Sequence, residues 1–299
     1  MLKYSFFYDN YGLYPIEIID NTFIIDDYIY KAEEVICDEI EIEKIVYFSY
    51  ELNKYFKESY ILIKNRMDKY IVELIDKKYV LVRTKISKIT YKKCLELTNL
   101  YVNKFNQRYT IDEMINIWLE RFENIKNNCF ESIDKNKNNY DLMETAVSFS
   151  LGLAENALSY LADTKLDYGT EIERLSLCHK RLNSLDSYSF FNPFNLIIDS
   201  IVRDYAELYK FELIDIYDLD NILSNLNLTQ KEASLLMARI LYPTRIFDII
   251  EDNYLLDEHK INQNNEYLNN LNVEYQRIKN VNSLLKIKYN IRPIEWLKK

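Results

Sequence analysis

Three glycines in 299 residues, Gly12, Gly152 and Gly169, narrow what this chain can build more than any other feature. Glycine supplies the backbone that approaches a phosphate closely, and three scattered residues cannot form a Gly-x-Gly-x-x-Gly fingerprint or a P-loop. The usual backbone phosphate cradles are therefore excluded. Charge narrows the partners: 38 Lys and Arg against 47 Asp and Glu give a formal net charge of −9, which repels nucleic-acid backbones. Nucleic acid is thereby excluded as the main partner. The two histidines, His179 and His259, are too few for a His-rich metal site. The four cysteines, Cys37, Cys94, Cys129 and Cys178, form no Cys-x-x-Cys pair and fit a reducing cytoplasm.

The first residues, Met1-Leu-Lys-Tyr, open into alternating polar and aromatic residues, not a charged segment followed by an apolar one, so no signal peptide is expected. No apolar run approaches the length of a membrane span. Apolar residues at 48 % and charged residues at 28 % match a folded, soluble chain. Tyrosine reaches 27. Oxidative cross-linking in an insoluble shell is one reading of that number. The simpler one is the joint enrichment of Tyr, Ile, Asn, Lys and Phe that an AT-rich genome produces.

Residues 1–85 read as strands, one helix, then more strands. Thr22–Val35 suits a two-stranded ribbon turning at Asp26-Asp27, and Ile42, Ile45, Val46, Leu52 and Phe56 recur at helical spacing over Asp38–Phe56. Tyr60–Lys64, Tyr70–Ile75 and Lys78–Thr84 are β-rich, with turn residues at Asn65–Lys69 and Asp76-Lys77. From Ile86 the chain turns helical. One helix is expected over Ile86–Phe105 and a second from the Thr110–Glu113 capping box to Phe130. After a polar break at Asp134–Asn139, a third runs over Tyr140–Ala162 with Gly152 inside it. The Thr229–Glu232 capping box opens another, which Pro243 interrupts. The last carries a core stripe of Leu268, Leu271, Tyr275, Ile278, Asn282 and Leu285.

One non-helical island, Leu175–Ile201, interrupts this helical half. Pro193 and Leu196-Ile197-Ile198 predict a short strand ending at Asp199. A carboxylate at a strand end is a place for chemistry. On the residues alone, a cap on the following helix is the favoured role.

The segments FSLGLAENALSYLADT (Phe149–Thr164), LCHKRL (Leu177–Leu182), IIDSIVRDYAEL (Ile197–Leu208), MARILYPTRIFDIIE (Met237–Glu251) and IEWL (Ile294–Leu297) carry a resemblance. The chain resembles the kinase-like fold of aminoglycoside and choline phosphotransferases, and within it the CotS-related spore-coat group of YutH type. The resemblance implies an α+β, two-lobed kinase-like fold, with a strand-rich N-lobe with one helix at 1–85 and a helical C-lobe at 86–299. It also implies a spore-coat protein made in the mother-cell cytoplasm, with other coat proteins as partners.

Phosphoryl transfer needs a phosphate-covering loop, a strand lysine, metal carboxylates and an acid that orients the acceptor hydroxyl. Carried over residue by residue, the resemblance places Lys31 as the nucleotide-binding lysine, with Glu39, Glu41 or Glu43 as its helix partner. An exposed strand residue is the equal alternative for Lys31. In the catalytic loop the pattern H-x-D becomes His179-Lys180-Arg181, and Arg181 cannot accept a proton. Asp186, five residues on, and Asp199, 199 − 181 = 18 residues on, fall where metal-binding groups stand. The loop near Gly12 has too few glycines to cover phosphates. Lys180-Arg181 could instead draw in a phosphate, while His179 shapes the loop by hydrogen-bonding an acid such as Asp204. The expectation is a degenerate kinase with a structural or interaction role. A nucleotide-binding or active phosphotransferase, with ATP and Mg²⁺ as cofactors, is the alternative.

Overall fold

The structure is a computed structural model that describes residues 2–85, 87–129, 140–255, 267 and 269–298. The expected break at Asp134–Asn139, the helix end at Phe130 and Leu268 of the last stripe lie outside them. The chain divides into two compact units, one of residues 1–93 with 179–197, the other of 94–178 with 198–299.

The first unit is a small antiparallel sheet with helices. Strands β1 (Thr22–Ile25) and β2 (Tyr28–Val35) form the expected ribbon, paired from Thr22↔Lys31 to Ile25↔Tyr28 around Asp26-Asp27. Helix α2 (Glu39–Tyr55) starts from a full capping box, Asp38 accepting from the Glu41 amide while Glu41 accepts from the Asp38 amide. Strands β3 (Ile61–Ile63), β4 (Ile71–Leu74) and β5 (Lys77–Lys85) complete the sheet in the order β1-β2-β5-β3, with β4 also on β5. The register Leu74↔Lys77 puts the β4–β5 turn at Ile75-Asp76, one residue earlier than expected, with φ of 47° and 60°. Two positive φ values fit the right-handed strand twist of a two-residue hairpin.

Helix α1 (Tyr4–Tyr11) precedes β1 and is a second main helix in this region, where one was expected. Its N-cap Lys3 makes no side-chain cap, so no start signal exists in the sequence. Phe6 and Phe7 hold it instead, packed with Phe23, Tyr30, Tyr79 and Leu81, with the Phe7 and Phe23 rings 4.8 Å apart edge-on. The helix ends at Gly12, whose φ of 70° and N–H to the Tyr8 carbonyl make it a left-handed C-cap. Gly12 is thus a helix terminator, not part of a phosphate loop between strands. Elsewhere among the described residues, positive φ falls mostly on Asp or Asn: Asp20, Asn21, Asp26, Asp68, Asp76, Asn103, Asn227 and Asn290. Their short polar side chains tolerate that region best after glycine.

The second unit is helical around one two-stranded sheet. Helix α3 is Tyr91–Tyr101, shorter at both ends than predicted. Lys88 instead makes an isolated bridge to Asp186 in the first unit's own backbone, and Asn103 at φ 53° ends the helix. Helix α4 (Ile111–Asn124) opens on the Thr110–Glu113 box and runs into a π-helical turn, Ile125–Cys129. Helix α5 (Tyr140–Tyr168) extends six residues past the expected Ala162 and stops at Gly169, φ 82°. Then come β6 (Leu175–His179), a stretch that belongs to the first unit with a four-residue helix α6 (Ser187–Phe190) and a 3₁₀ turn (Pro193–Asn195), and β7 (Leu196–Ser200), whose end returns to the second unit. Helices α7 (Arg203–Lys210), α8 (Ile216–Leu226), α9 (Gln230–Leu241), α10 (Thr244–Leu255) and α11 (Leu271–Tyr289) follow. Pro243 separates α9 from α10 as expected, and Ile278, Asn282 and Leu285 of the last stripe are buried.

Helix α9 packs against α5, α7 and α11 and is buried along its whole length from Lys231 to Leu241. Its three charged residues are each paired, as buried charge requires. Lys231 meets Glu173 at 2.9 Å, Glu232 meets Arg174 Nε at 2.6 Å, and Arg239 meets Asp199.

The two structural glycines separate cleanly by experiment. A Cβ built on Gly152 meets nothing within 4 Å, so Gly152→Ala should stabilise the chain by about 1 kcal/mol in urea unfolding. At Gly12 a Cβ would lie 2.8 Å from Arg66 Nη2 on a left-handed backbone, so Gly12→Ala should destabilise by about 1 kcal/mol.

Candidate functional site

The island Leu175–Ile201 folds as strand, loop, short helix and strand. Leu175, Ser176, Leu177 and Cys178 of β6 are buried, and the strand ends at His179. His179 is itself buried, and its Nε2 donates to the Phe190 carbonyl at 2.7 Å. The ring also packs 4.6 Å from the Phe190 ring. Asn195 pins the next two residues. Its carbonyl accepts from the Lys180 amide at 2.7 Å, its Oδ1 accepts from the Arg181 amide at 3.1 Å, and its Nδ2 donates to the Arg181 carbonyl at 2.6 Å. The Lys180 ammonium donates to the Phe194 carbonyl at 3.0 Å, and Arg181 Nη1 folds back onto the Lys180 carbonyl at 2.8 Å.

Asp186 is the N-cap of α6. Its carboxylate accepts from the Ser189 amide at 2.8 Å and from the hydroxyls of Ser184 and Ser189 at 2.6 and 3.1 Å. Lys31, on β2 opposite Val82 of β5, pairs with Glu33 of its own strand at 3.0 Å. Glu41, one of the expected helix partners, is engaged in the α2 capping box. Within this unit the charges of Glu33 and Asp186 both act on one group. Burial, then the charges of Glu33 and Asp186, push the pKa of the buried Tyr60 phenol well up. Tyr60 was not singled out in the sequence, where it reads only as a strand aromatic.

Asp199 lies in the second unit, and the helix cap expected for it does not form. Helix α7 starts after Val202, which provides no side-chain cap. Asp199 is instead 1 % exposed and held by three donors: Arg203 Nη1 at 2.5 Å on Oδ2, and Arg239 Nη2 with the Ser200 amide, the latter at 2.6 Å, on Oδ1. The physical reason is charge: a cap needs only a dipole, whereas a buried carboxylate takes the full cations within reach. Burial pushes the Asp199 pKa up, but Arg239 and Arg203 outweigh it and the net shift is downward. The Tyr109 phenol feels the same cluster; burial first, then Asp199, push it up to about 12. Next to it, Cys178 is fully buried and its thiol pKa is raised, chiefly by burial, so it is no nucleophile.

Arg203 and Arg239 were missed in the sequence, although both left a trace. Arg203 stands only four residues after Asp199, near enough along the chain to pair with it across the strand-to-helix turn. Arg239 is a lone charge in the apolar run Leu235–Leu241, and a charge there needs a partner.

Residues 5–286 match the family described as "Spore coat putative kinase YutH". The endospore coat-associated protein YutH of Bacillus subtilis (strain 168) is 29 % identical over an alignment of 123 residues that covers 37 % of this chain and 36 % of that relative. The aligned stretch thus spans about a third of the relative's length. Among solved structures, an aminoglycoside phosphotransferase from Alicyclobacillus acidocaldarius subsp. acidocaldarius DSM 446 superposes at TM-score 0.52 with 12 % identity, covering 92 % of this chain and 94 % of that one. The spectinomycin phosphotransferase APH(9)-Ia, in complex with ADP and spectinomycin, superposes at TM-score 0.52 with 12 % identity, covering 95 % of each chain. The fold is therefore that of these kinase-like phosphotransferases. No helix among the described residues is long and apolar enough to cross a membrane.

Arg239→Met should cost about 3–5 kcal/mol in urea unfolding, because it strips one cation from a buried carboxylate. The pH dependence has a fixed sign. With its folded pKa lowered, Asp199 contributes stability above the ordinary carboxylate value, and that contribution is lost as pH falls through the folded value. Stability of the wild type should therefore drop below about pH 4, and an Asp199→Asn variant should show a shallower drop there.

Proposed function

The chain belongs to the YutH family of spore coat kinase-like proteins, and from that premise we propose that it is a catalytically degenerate kinase serving the coat as a structural or interaction component. One observation carries the reading: Arg181 stands in the loop where the resemblance expects a proton acceptor. A guanidinium stays protonated at any relevant pH and cannot take a proton from an acceptor hydroxyl. The loop leaves that residue little freedom, since Asn195 grips its amide and carbonyl and Arg181 Nη1 is bonded to the Lys180 carbonyl.

Two further features support it. The turns entering and closing the first ribbon are built from Asp20, Asn21 and Asp26 at positive φ, so they carry side chains, two of them carboxylates, and not the bare glycine amides that suit a phosphate. Asp186 already caps a helix through hydrogen bonds to Ser184 and Ser189. Losing a general base typically costs about 10²–10⁴ in rate. Losing the phosphate grip as well acts on the same transferring group and compounds the loss. The partners in this role are other coat proteins.

A second reading rests on Lys31. It sits on the strand that precedes α2, where an ammonium could hold nucleotide phosphates once the Glu33 pair gave way. A pseudokinase of that kind binds ATP without turning it over.

Two measurements on the purified chain divide these readings. With millimolar ATP and Mg²⁺ we expect no ADP above buffer and no rise in melting temperature, since a ligand that binds the native state must raise it. A thermal shift without turnover selects the nucleotide-binding reading. Mg²⁺-dependent phosphorylation of any acceptor, abolished by Lys31→Ala, overturns degeneracy.

A further inference from the structure

The fold family implies Mg²⁺ at the strand-end carboxylate, and the donor set around Asp199 is the test of fit. We infer that Arg203 and Arg239 take the place of a divalent cation at Asp199, making this carboxylate a closed, metal-independent ion cluster. A carboxylate offers about four lone-pair positions, and protein donors take three of them here. At Asp199 Arg239 Nη2 and the Ser200 amide take Oδ1, and Arg203 Nη1 takes Oδ2. Mg²⁺ demands a near-octahedral oxygen shell at about 2.0–2.1 Å and keeps several waters. To reach Asp199, which is 1 % exposed, it would have to displace a guanidinium into the core and leave that charge unpaired.

The cluster is also balanced without any ion. Around Cys178 and α7 lie Arg203, Arg239 and Lys210 against Asp199, Asp204 and Glu207, with Lys210 and Glu207 paired at 3.1 Å. Neither a metal nor an anion is needed to neutralise it. Among the described residues, no group of three or more His, Cys, Asp or Glu side chains could hold a metal ion. The two arginines come from different segments, Arg203 from the first turn of α7 and Arg239 from the buried α9. The substitution is therefore built into the packing.

The test uses the wild-type chain, deuterated and ¹⁵N-labelled, with Mn²⁺ alone as the probe at constant ionic strength. The amides of residues 198–201 should keep their intensity relative to remote core amides at substoichiometric Mn²⁺, and millimolar Mg²⁺ should leave the melting temperature unmoved. Selective loss of those amide signals overturns the inference. Asp199→Asn supplies a second arm. Two buried cations left without their anion should lower the melting temperature by about 10 °C or prevent folding altogether. A carboxylate that waits for a metal behaves oppositely, so an unchanged or raised melting temperature also overturns it. The outcome is separable from the coat reading. ATP turnover with residues 198–201 untouched by Mn²⁺ sinks only that reading, and Mn²⁺ at Asp199 without turnover sinks only this one.

Discussion

A carboxylate removed from water must be met by cations at short range, and the second unit is arranged around that requirement at Asp199. The strand β7 carries the anion, α7 and α9 each bring a guanidinium, and the Ser200 amide closes the set. Helix α9 repeats the principle at its other end. Lys231 fixes the chain at Glu171 and Glu173, while Glu232 both caps the helix and receives Arg174, whose remaining N–H groups donate to the Leu226 and Asn227 carbonyls at the end of α8. Apolar packing alone would accept several rotations of a helix buried on all sides. Three charges with fixed partners select one.

The first unit solves a different problem, that of holding a loop. Residues 180 and 181 have no regular structure, yet Asn195 supplies them with both acceptors and a donor, and His179 anchors their start to Phe190. A rigid loop of this kind is what a phosphotransferase uses to aim an acid at its substrate. Here the same rigidity presents Arg181. On the proposed reading, kinase-like architecture and the chemistry of a kinase separate in this chain, as expected when function lives in a few side chains grafted on a fold.

Legibility followed the physical origin of each element. The capping boxes at Thr110 and Thr229, the Asp26-Asp27 turn and the Pro243 break are local, so they could be read directly from neighbouring residues. Helix α1 is held by Phe6 and Phe7 against a sheet whose strands come later in the chain, which no local pattern announces. Helix α3 is shorter than its sequence pattern predicts because its flanks serve other contacts, Lys88 at Asp186 and Asn103 at Leu175. The short strand carrying Asp199 was legible from Pro193 and the apolar run Leu196-Ile197-Ile198, and it ends one residue further on, at Ser200. The Asp199 partner Arg239 was not, since pairing across 40 residues between β7 and α9 depends on packing.

The glycine-poor turns reach beyond geometry. Backbone that bends through Asn and Asp has fewer conformations to explore once the chain is denatured than backbone that bends through glycine, so less disorder is gained on melting. Positions such as Asp20, Asn21, Asp68 and Asn290 therefore work on the denatured ensemble as well as on the native shape. The mild steric strain of a left-handed Asn or Asp is set against a stiffer random coil, so part of each turn's contribution lies in what the chain can no longer do when it comes apart.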